Sequence, residues 1–365
     1  MTLHFFHRYD RLSASFRARC ECYSPFLLEA GLSFRFHSLL DSRYLIEKYA
    51  NRRVSVFRVL LSYAKRLHAI LRLKKSDIAI VHLELFPYLP GIFEAYLKRK
   101  GVSLIYDFDD PFFHFYDQHR SWIIRLLFGE KIKRIIRNAD CIIAGNEYLS
   151  SYAATEHKDS TIIPSVVDLL RYKCIKTSSQ IDASTPFTIG WIGTPSTAHT
   201  LLAATDAIAT FCYGRIVKLI LVGSGPVEIN GIEAEIRPWS ESTEIESILE
   251  FDVGIMPLPD NPFNRGKGGM KIMQYMACGI PAIASPVGFN SEIIKHGENG
   301  FLASSSEEWI RYLEVLYENP GLRSRLGAIG RQTIEREYCL QITGPKFLDL
   351  VTTTYVSRQA RQDAV

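Results

Sequence analysis

Twelve short runs of mostly apolar residues recur along this chain, and helical stretches separate nearly all of them. In the first half the runs are LHFFH, SFRFHSL, IAIVHL, SLIYDF, CIIAGN and TIIPS, with helices expected near 14–30, 53–73, 91–100, 120–138 and 147–155. In the second half they are FTIGWIG, VKLILVG, AEIRPW, VGIMPL, PAIAS and GFLA. Strands that alternate with helices build βαβ units, so each half predicts a doubly wound, mostly parallel sheet of the α/β class. A Ser/Thr-rich stretch without periodicity, YKCIKTSSQIDASTPF, marks the join near 172–187. Two similar domains with a cleft between them are the expectation. Ligands of such sheets gather at the carboxyl ends of the strands, which directs attention to the loops after IYDF, IGWIG, RPW, IMPL and AIAS.

Length and composition agree with that outline. At 365 residues, two domains of ordinary size are expected, and 47% apolar with 22% charged residues excludes a disordered chain. The seven cysteines form no CxxC pair and no metal-ligand spacing, which reads as reduced thiols in the cytosol. The opening MTLHFFHRYDRLS lacks the apolar core of a signal peptide, and nowhere do about 18 uncharged apolar residues run together. A cytoplasmic protein that does not span the membrane is expected. Net charge is +4 but unevenly placed: residues 1–160 hold 25 Lys and Arg against 17 Asp and Glu, whereas the remainder is acidic. An anionic partner for the first half fits this asymmetry, as does ordinary surface solvation.

The densest chemical pattern is NRGKGGMKIMQYMAC, residues 264–278. Gly266, Gly268 and Gly269 let backbone approach a ligand closely, and the N–H groups that open a helix attract an anion. Lys267 and Lys271 stand where the helix dipole disfavours cations, so a bound diphosphate would compensate them. Gln274, three residues after Lys271, lies on nearly the same face and suits a hydroxyl. A glycine-softened helix start with two surface lysines is the plainer alternative. The next loop, SPVGFNSE, adds Gly288 and Asn290, the latter expected to cap the helix SEIIKHG.

From residue 251 to 309 the chain, with YDFDD and IGWIGTPST upstream, resembles the retaining glycosyltransferases of family 4, and more closely the branch found in bacterial surface-polysaccharide clusters. The resemblance implies two Rossmann-like domains facing a cleft, the GT-B fold. It implies an acceptor-binding domain over 1–175, a domain over 186–337 that binds a UDP- or GDP-linked sugar, and a segment 338–365 that crosses back to the first domain. Family members carry two glutamates eight positions apart, and here those positions read Gly266 and Gln274. Gln274 would then hold the donor ribose as a neutral amide, and the backbone from Gly268 through Gly269 to Met270 would replace the first glutamate. By the same resemblance Gly193 and Thr194 face the diphosphate, Trp239 meets the base, and Gly288 and Asn290 line the donor. Lys267 and Lys271 would stabilise the leaving diphosphate.

Asp107, Asp109 and Asp110 crowd the end of one strand. Enzymes of this resemblance work without a metal or other cofactor, so no metal site is expected; Asp109 and Asp110 would meet sugar hydroxyls, Asp109 nearest the chemistry. Ser15 and Arg17, with Arg19, match the branch's Ser-x-Arg-x-Arg start and would meet the acceptor. Residues 51–75 hold eight basic residues and no acid among apolar ones, which suits either packing on the sheet or docking on the anionic inner face of a membrane. The expectation is a retaining sugar transferase acting on a saccharide or lipid-linked acceptor in polysaccharide or lipopolysaccharide synthesis. A sugar-nucleotide epimerase and a non-catalytic nucleotide-sugar-binding protein are the alternatives. No nucleic-acid module is present.

Overall fold

The computed structural model describes all residues except 51, 157–159, 177–184, 230 and 364–365, and side chains up to 357. Half of the Ser/Thr-rich join thus lies outside the described residues. The chain divides into two compact units: Met1–Ser165 with Gly266–Gly268 and Leu340–Val365, and Val166–Arg265 with Gly269–Cys339.

The first unit is built on β1 (Thr2–Tyr9), β2 (Ser33–Leu40), β3 (Ile78–His82), β4 (Ser103–Phe108), β5 (Cys141–Ala144) and β6 (Ser160–Ile162), in the order β2-β1-β3-β4-β5-β6. The second is built on β7 (Phe187–Ile192), β8 (Val217–Val222), β9 (Ala234–Arg237), β10 (Val253–Met256), β11 (Ala282–Ala284) and β12 (Gly300–Leu302), in the order β12-β11-β10-β7-β8-β9. Every pairing in both sheets is parallel. All twelve apolar runs are therefore strands, and the expected α/β class is found.

The continuity of the apolar runs has a physical cause. Along β8, Leu219 and Leu221 enter one core with Ile189, Trp191 and Ile255, while Ile220 and Val222 enter the other with Met256, Ala282 and Ile272. A strand covered by helices on both faces cannot spend alternate positions on polar residues.

Two expected helices are broken. The span expected at 14–30 runs as Ala14–Arg19, a 3₁₀ turn at Glu21–Tyr23, and Ser24–Glu29. Pro25 has no amide to donate, so it sits where a new helix starts. The span expected at 120–138 divides into Trp122–Phe128 and Lys131–Asn138, parted at Gly129. A helix at Ser42–Tyr49, capped by the Asp41 side chain accepting from the Tyr44 amide at 3.0 Å, was not foreseen.

Candidate functional site

In the second unit, the helix Met270–Ala277 stands at the carboxyl ends of β7 and β10. Its Tyr275 hydroxyl receives the Ile192 amide at 3.1 Å and donates to the Ile255 carbonyl at 3.2 Å, which fixes the helix against the loop that begins at Gly193. Gly269 caps the helix with a left-handed backbone, φ 65°, and supplies no side-chain acceptor; the first turn holds no acid. Lys271, on that first turn, lies 5.2 Å from the Trp191 ring. The Thr194 amide donates to Thr197 Oγ1 at 3.2 Å, and its hydroxyl lies 2.9 Å from that of Ser196, so the Gly193–Thr194 loop is closed on itself.

The two glycine loops meet here. A side chain at Gly269 would collide with the Phe289 ring, and one at Gly288 would stand 2.1 Å from the Arg265 carbonyl oxygen. At Gly288 the backbone, φ 54° and ψ −131°, is also one that only glycine adopts readily. Asn290 does not cap the following helix. That helix starts at Phe289, and the buried Asn290 amide instead donates to the Ser285 carbonyl at 3.0 Å, tying the loop to the end of β11.

Gln274 and Trp239 are brought together through two residues that the sequence did not advertise. Gln274 Nε2 donates to the Tyr172 hydroxyl at 3.2 Å; that hydroxyl donates to Glu244 Oε1 at 2.6 Å, and Trp239 Nε1 donates to Glu244 Oε2 at 2.7 Å. Burial, with the Glu244 charge next, holds the Tyr172 hydroxyl well above its ordinary pKa, so it stays protonated. A buried carboxylate thus lies one hydroxyl away from Gln274.

In the first unit, the three aspartates are separated in role by burial. Asp107 is buried and takes a two-pronged grip from Arg19, whose Nη1 also donates to the Ile163 carbonyl at 2.5 Å. Arg19 is therefore a buried partner of the core rather than a surface residue, and Arg17 holds the Arg11 and Leu12 carbonyls at 2.8 and 3.0 Å. The Ser15 hydroxyl lies 2.9 Å from that of Ser13. Asp109 receives His82 Nε2 at 2.9 Å, and His82 stacks on His7 with ring centres 4.2 Å apart. Burial would raise the Asp109 carboxyl, but the charge and hydrogen bond of His82, with Arg19 and His7 beyond, outweigh it and hold the group well below the usual carboxylate range. The Asp107 and Asp109 carboxylates are thus engaged by cationic or donating side chains. Among the described residues no group of three or more His, Cys, Asp or Glu has the arrangement to hold a metal ion. Asp110 is half-buried, and its carbonyl receives the Phe112 amide at 2.8 Å.

Lys267 and Gly268 belong to the short segment grouped with this unit, where Asn146 Nδ2 donates to the Gly266 carbonyl at 2.9 Å. Between His82 and Glu84, Leu83 is held at φ 66°, a costly backbone for a branched residue. It delivers the buried Glu84 to Arg8, Lys131 and the Tyr116 hydroxyl, the last at 2.7 Å. Burial opposes this carboxylate, yet the two cations lower its pKa. The polar residues in HLEL, inside an otherwise apolar run, were the one sequence signal for His82 and Glu84.

Residues 186–319 match the model of the family described as glycosyl transferases group 1. Over 131 residues the chain is 43% identical to EpsD of Bacillus subtilis (strain 168), a protein named as a glycosyltransferase, covering 33% of each chain. Over 124 residues it is 28% identical to the N-acetyl-alpha-D-glucosaminyl L-malate synthase of Bacillus anthracis, covering 30% of this chain and 32% of that one. These matches span about a third of the relatives' own length. Among solved structures, sucrose-phosphate synthase from Thermosynechococcus elongatus superposes with a TM-score of 0.71 over 98% of this chain and all of that one, at 14% identity. HepE of Anabaena, solved in complex with UDP-glucose, gives 0.67 over 97% and 100%, at 16% identity. Residues 186–319 are thus similar in sequence to the group 1 glycosyl transferases, on a chain that shares the GT-B fold of these solved structures.

Proposed function

We propose that the protein is a retaining glycosyltransferase that takes a sugar from a nucleoside-diphosphate donor, UDP- or GDP-linked, and passes it to a hydroxyl of a saccharide or lipid-linked saccharide in surface-polysaccharide or lipopolysaccharide synthesis. The observation that carries this reading is the helix at Met270, opened by a glycine with no side-chain cap and bearing Lys271 on its first turn beside the Gly193–Thr194 loop. The amino end of a helix, its dipole and an ammonium group together suit a diphosphate. The UDP-glucose bound to the structural neighbour HepE supports the donor class.

In this reading the bond from the anomeric carbon to the diphosphate breaks while the acceptor oxygen bonds to the same face, and the acceptor proton passes to the departing phosphate oxygen. Lys271 and Lys267 stabilise the charge that gathers on the leaving group. The backbone from Gly268 through Gly269 to Met270, with Gly288, lines the donor sugar, Gln274 takes a ribose hydroxyl, and Trp239 packs on the base with its indole held by Glu244. Asp109, kept ionised by His82, accepts hydrogen bonds from sugar hydroxyls, and Asp110, Ser15 and Arg17 meet the acceptor. No step requires a metal.

Thermal unfolding against UDP, GDP, ADP and CDP, with and without magnesium, is the direct test. A ligand at about 100 times its dissociation constant stabilises by about 2.7 kcal/mol. One nucleotide is expected to shift the midpoint without magnesium, and the matching sugar nucleotide should yield a product whose anomeric configuration, read by NMR coupling, equals the donor's. Lys271→Ala should cut turnover by roughly 100-fold while leaving the unfolding midpoint of the free protein in place; near-normal turnover would remove Lys271 from the mechanism.

A further inference from the structure

In the first unit, the helix Trp122–Phe128, WIIRLLF, buries none of its residues: Trp122 is 64% exposed and Leu126 73%, with Ile123 and Leu127 exposed beside them. A second helix, Val56–Arg72, buries only Arg66 and Ile70. Its inward face is fixed by Arg66, which is buried and donates to the Leu85, His7 and His37 carbonyls at 3.0, 2.5 and 2.7 Å. With Arg66 inward, Phe57, Leu60, Leu61 and Leu71 form an outward stripe at helical spacing, Phe57 being 69% exposed.

These surfaces share one end of the unit. Arg66 is level with the carboxyl ends of β1 and β2, and the Tyr63 hydroxyl reaches the Pro87 carbonyl at 3.0 Å, so residues 56–61 stand beyond those ends. The loop after β3 exposes Tyr88, whose ring meets Tyr116 at 5.9 Å; Tyr116 in turn meets Phe128 at 5.9 Å. The two helices and the Tyr88 loop therefore ring the same end of the sheet as Asp109 and Glu84. Apolar exposure of this extent on a soluble fold marks a docking face.

Charge identifies the occupant. Residues 52–75 contain no acid, nor do residues 118–129, while Arg52, Arg53, Lys65 and Arg120 are exposed around the stripe. The acids that flank these stretches are engaged: Asp41 and Glu47 with Arg58, Asp117 with His114, and Glu130 with Lys133. Trp and aliphatic side chains ringed by arginine match the interface of an anionic bilayer, where the rings enter the acyl boundary and the guanidinium groups meet phosphate. Among the described residues no helix is long and apolar enough to cross a membrane, so contact would be peripheral. We infer that the first unit docks on anionic lipid through Phe57, Leu61, Tyr88, Trp122 and Leu126, holding the carboxyl end of its sheet against the bilayer.

The test is co-sedimentation of the full chain with vesicles of phosphatidylcholine alone or mixed with phosphatidylglycerol. Binding to the anionic vesicles should exceed binding to the neutral ones by about tenfold or more, and should fall with salt. The double variant Trp122→Ser, Leu126→Ser should lose about tenfold or more of that binding. Leu28→Ser should keep it, because the exposed Leu28 precedes the opposite, amino end of β2. Circular dichroism and the unfolding midpoint establish that the variants fold. Absence of binding to anionic vesicles, or equal binding by the double variant, overturns the inference. So does a lipid-free dimer, seen by sedimentation velocity, that the same double substitution abolishes, because a second copy would then be the occupant. The nucleotide-induced shift in unfolding is read in the same samples: its absence with vesicle binding intact counts against the transferase reading alone.

Discussion

Gln274 shows how one atom's hydrogen-bonding capacity determines a residue choice. The Tyr172 hydroxyl has a single proton, already given to Glu244, so its oxygen can only accept from position 274. An amide donates there and a carboxylate cannot. Gln274→Glu, which restores the residue common in the resembled family, should therefore weaken nucleotide binding rather than improve it. Two carboxylates about one hydroxyl repel, and the added group should titrate above its ordinary value. The loss should be largest near pH 8 and shrink as the pH falls below about 6, where the new carboxyl takes a proton. Nucleotide titrations of both proteins across that range decide the matter, and tighter binding by the variant at pH 8 would refute the account.

Among the elements, the helix at Met270 and the loop at Gly288 depend on each other through backbone proximity. Gly288→Ala places a methyl carbon 2.1 Å from the Arg265 carbonyl oxygen and forces a backbone that alanine resists. A loss of about 1–3 kcal/mol is expected from the backbone conformation alone, with the collision adding to it. Denaturant unfolding measures that loss, and nucleotide affinity should fall with it. The helix itself was legible in the sequence from its glycine opening and the spacing of Lys271 and Gln274. Its connection to Tyr172, Glu244 and Trp239 was not, because those residues lie 102, 30 and 35 positions away and carry no mutual spacing. The same limit hid the role of Asn290: its helix starts two residues earlier than capping preference alone suggested, since the glycine conformation at 288 turns the chain there. The outward stripe on Val56–Arg72 was ambiguous for another reason. Its sequence suits both packing and exposure, and the buried Arg66 decides which face turns in.

At the scale of the molecule, the first unit is completed by the last segment of the chain. Phe347 is buried, with its ring 3.9 Å from that of Tyr23 and nearly parallel to it, and it also stacks on Phe5 of β1. Phe347→Ala should destabilise this unit by about 3–5 kcal/mol. The readout is denaturant unfolding followed by near-ultraviolet circular dichroism, and a loss under about 1 kcal/mol would show that the terminal segment contributes little to it.

The sequence by itself determined the twelve strands, their parallel arrangement and the glycine-bearing loops. These follow from local composition, because a strand buried on both faces must be apolar throughout and a helix opened by glycine announces itself in a few residues. Only the tertiary structure decided which ionisable groups are spent on one another. Arg19 with Asp107, His82 with Asp109, Glu84 with Arg8 and Lys131, and Glu244 with Tyr172 are pairings between distant segments. Burial makes an unpartnered charge prohibitive, so folding selects the partner by proximity in space, and separation along the chain does not record it.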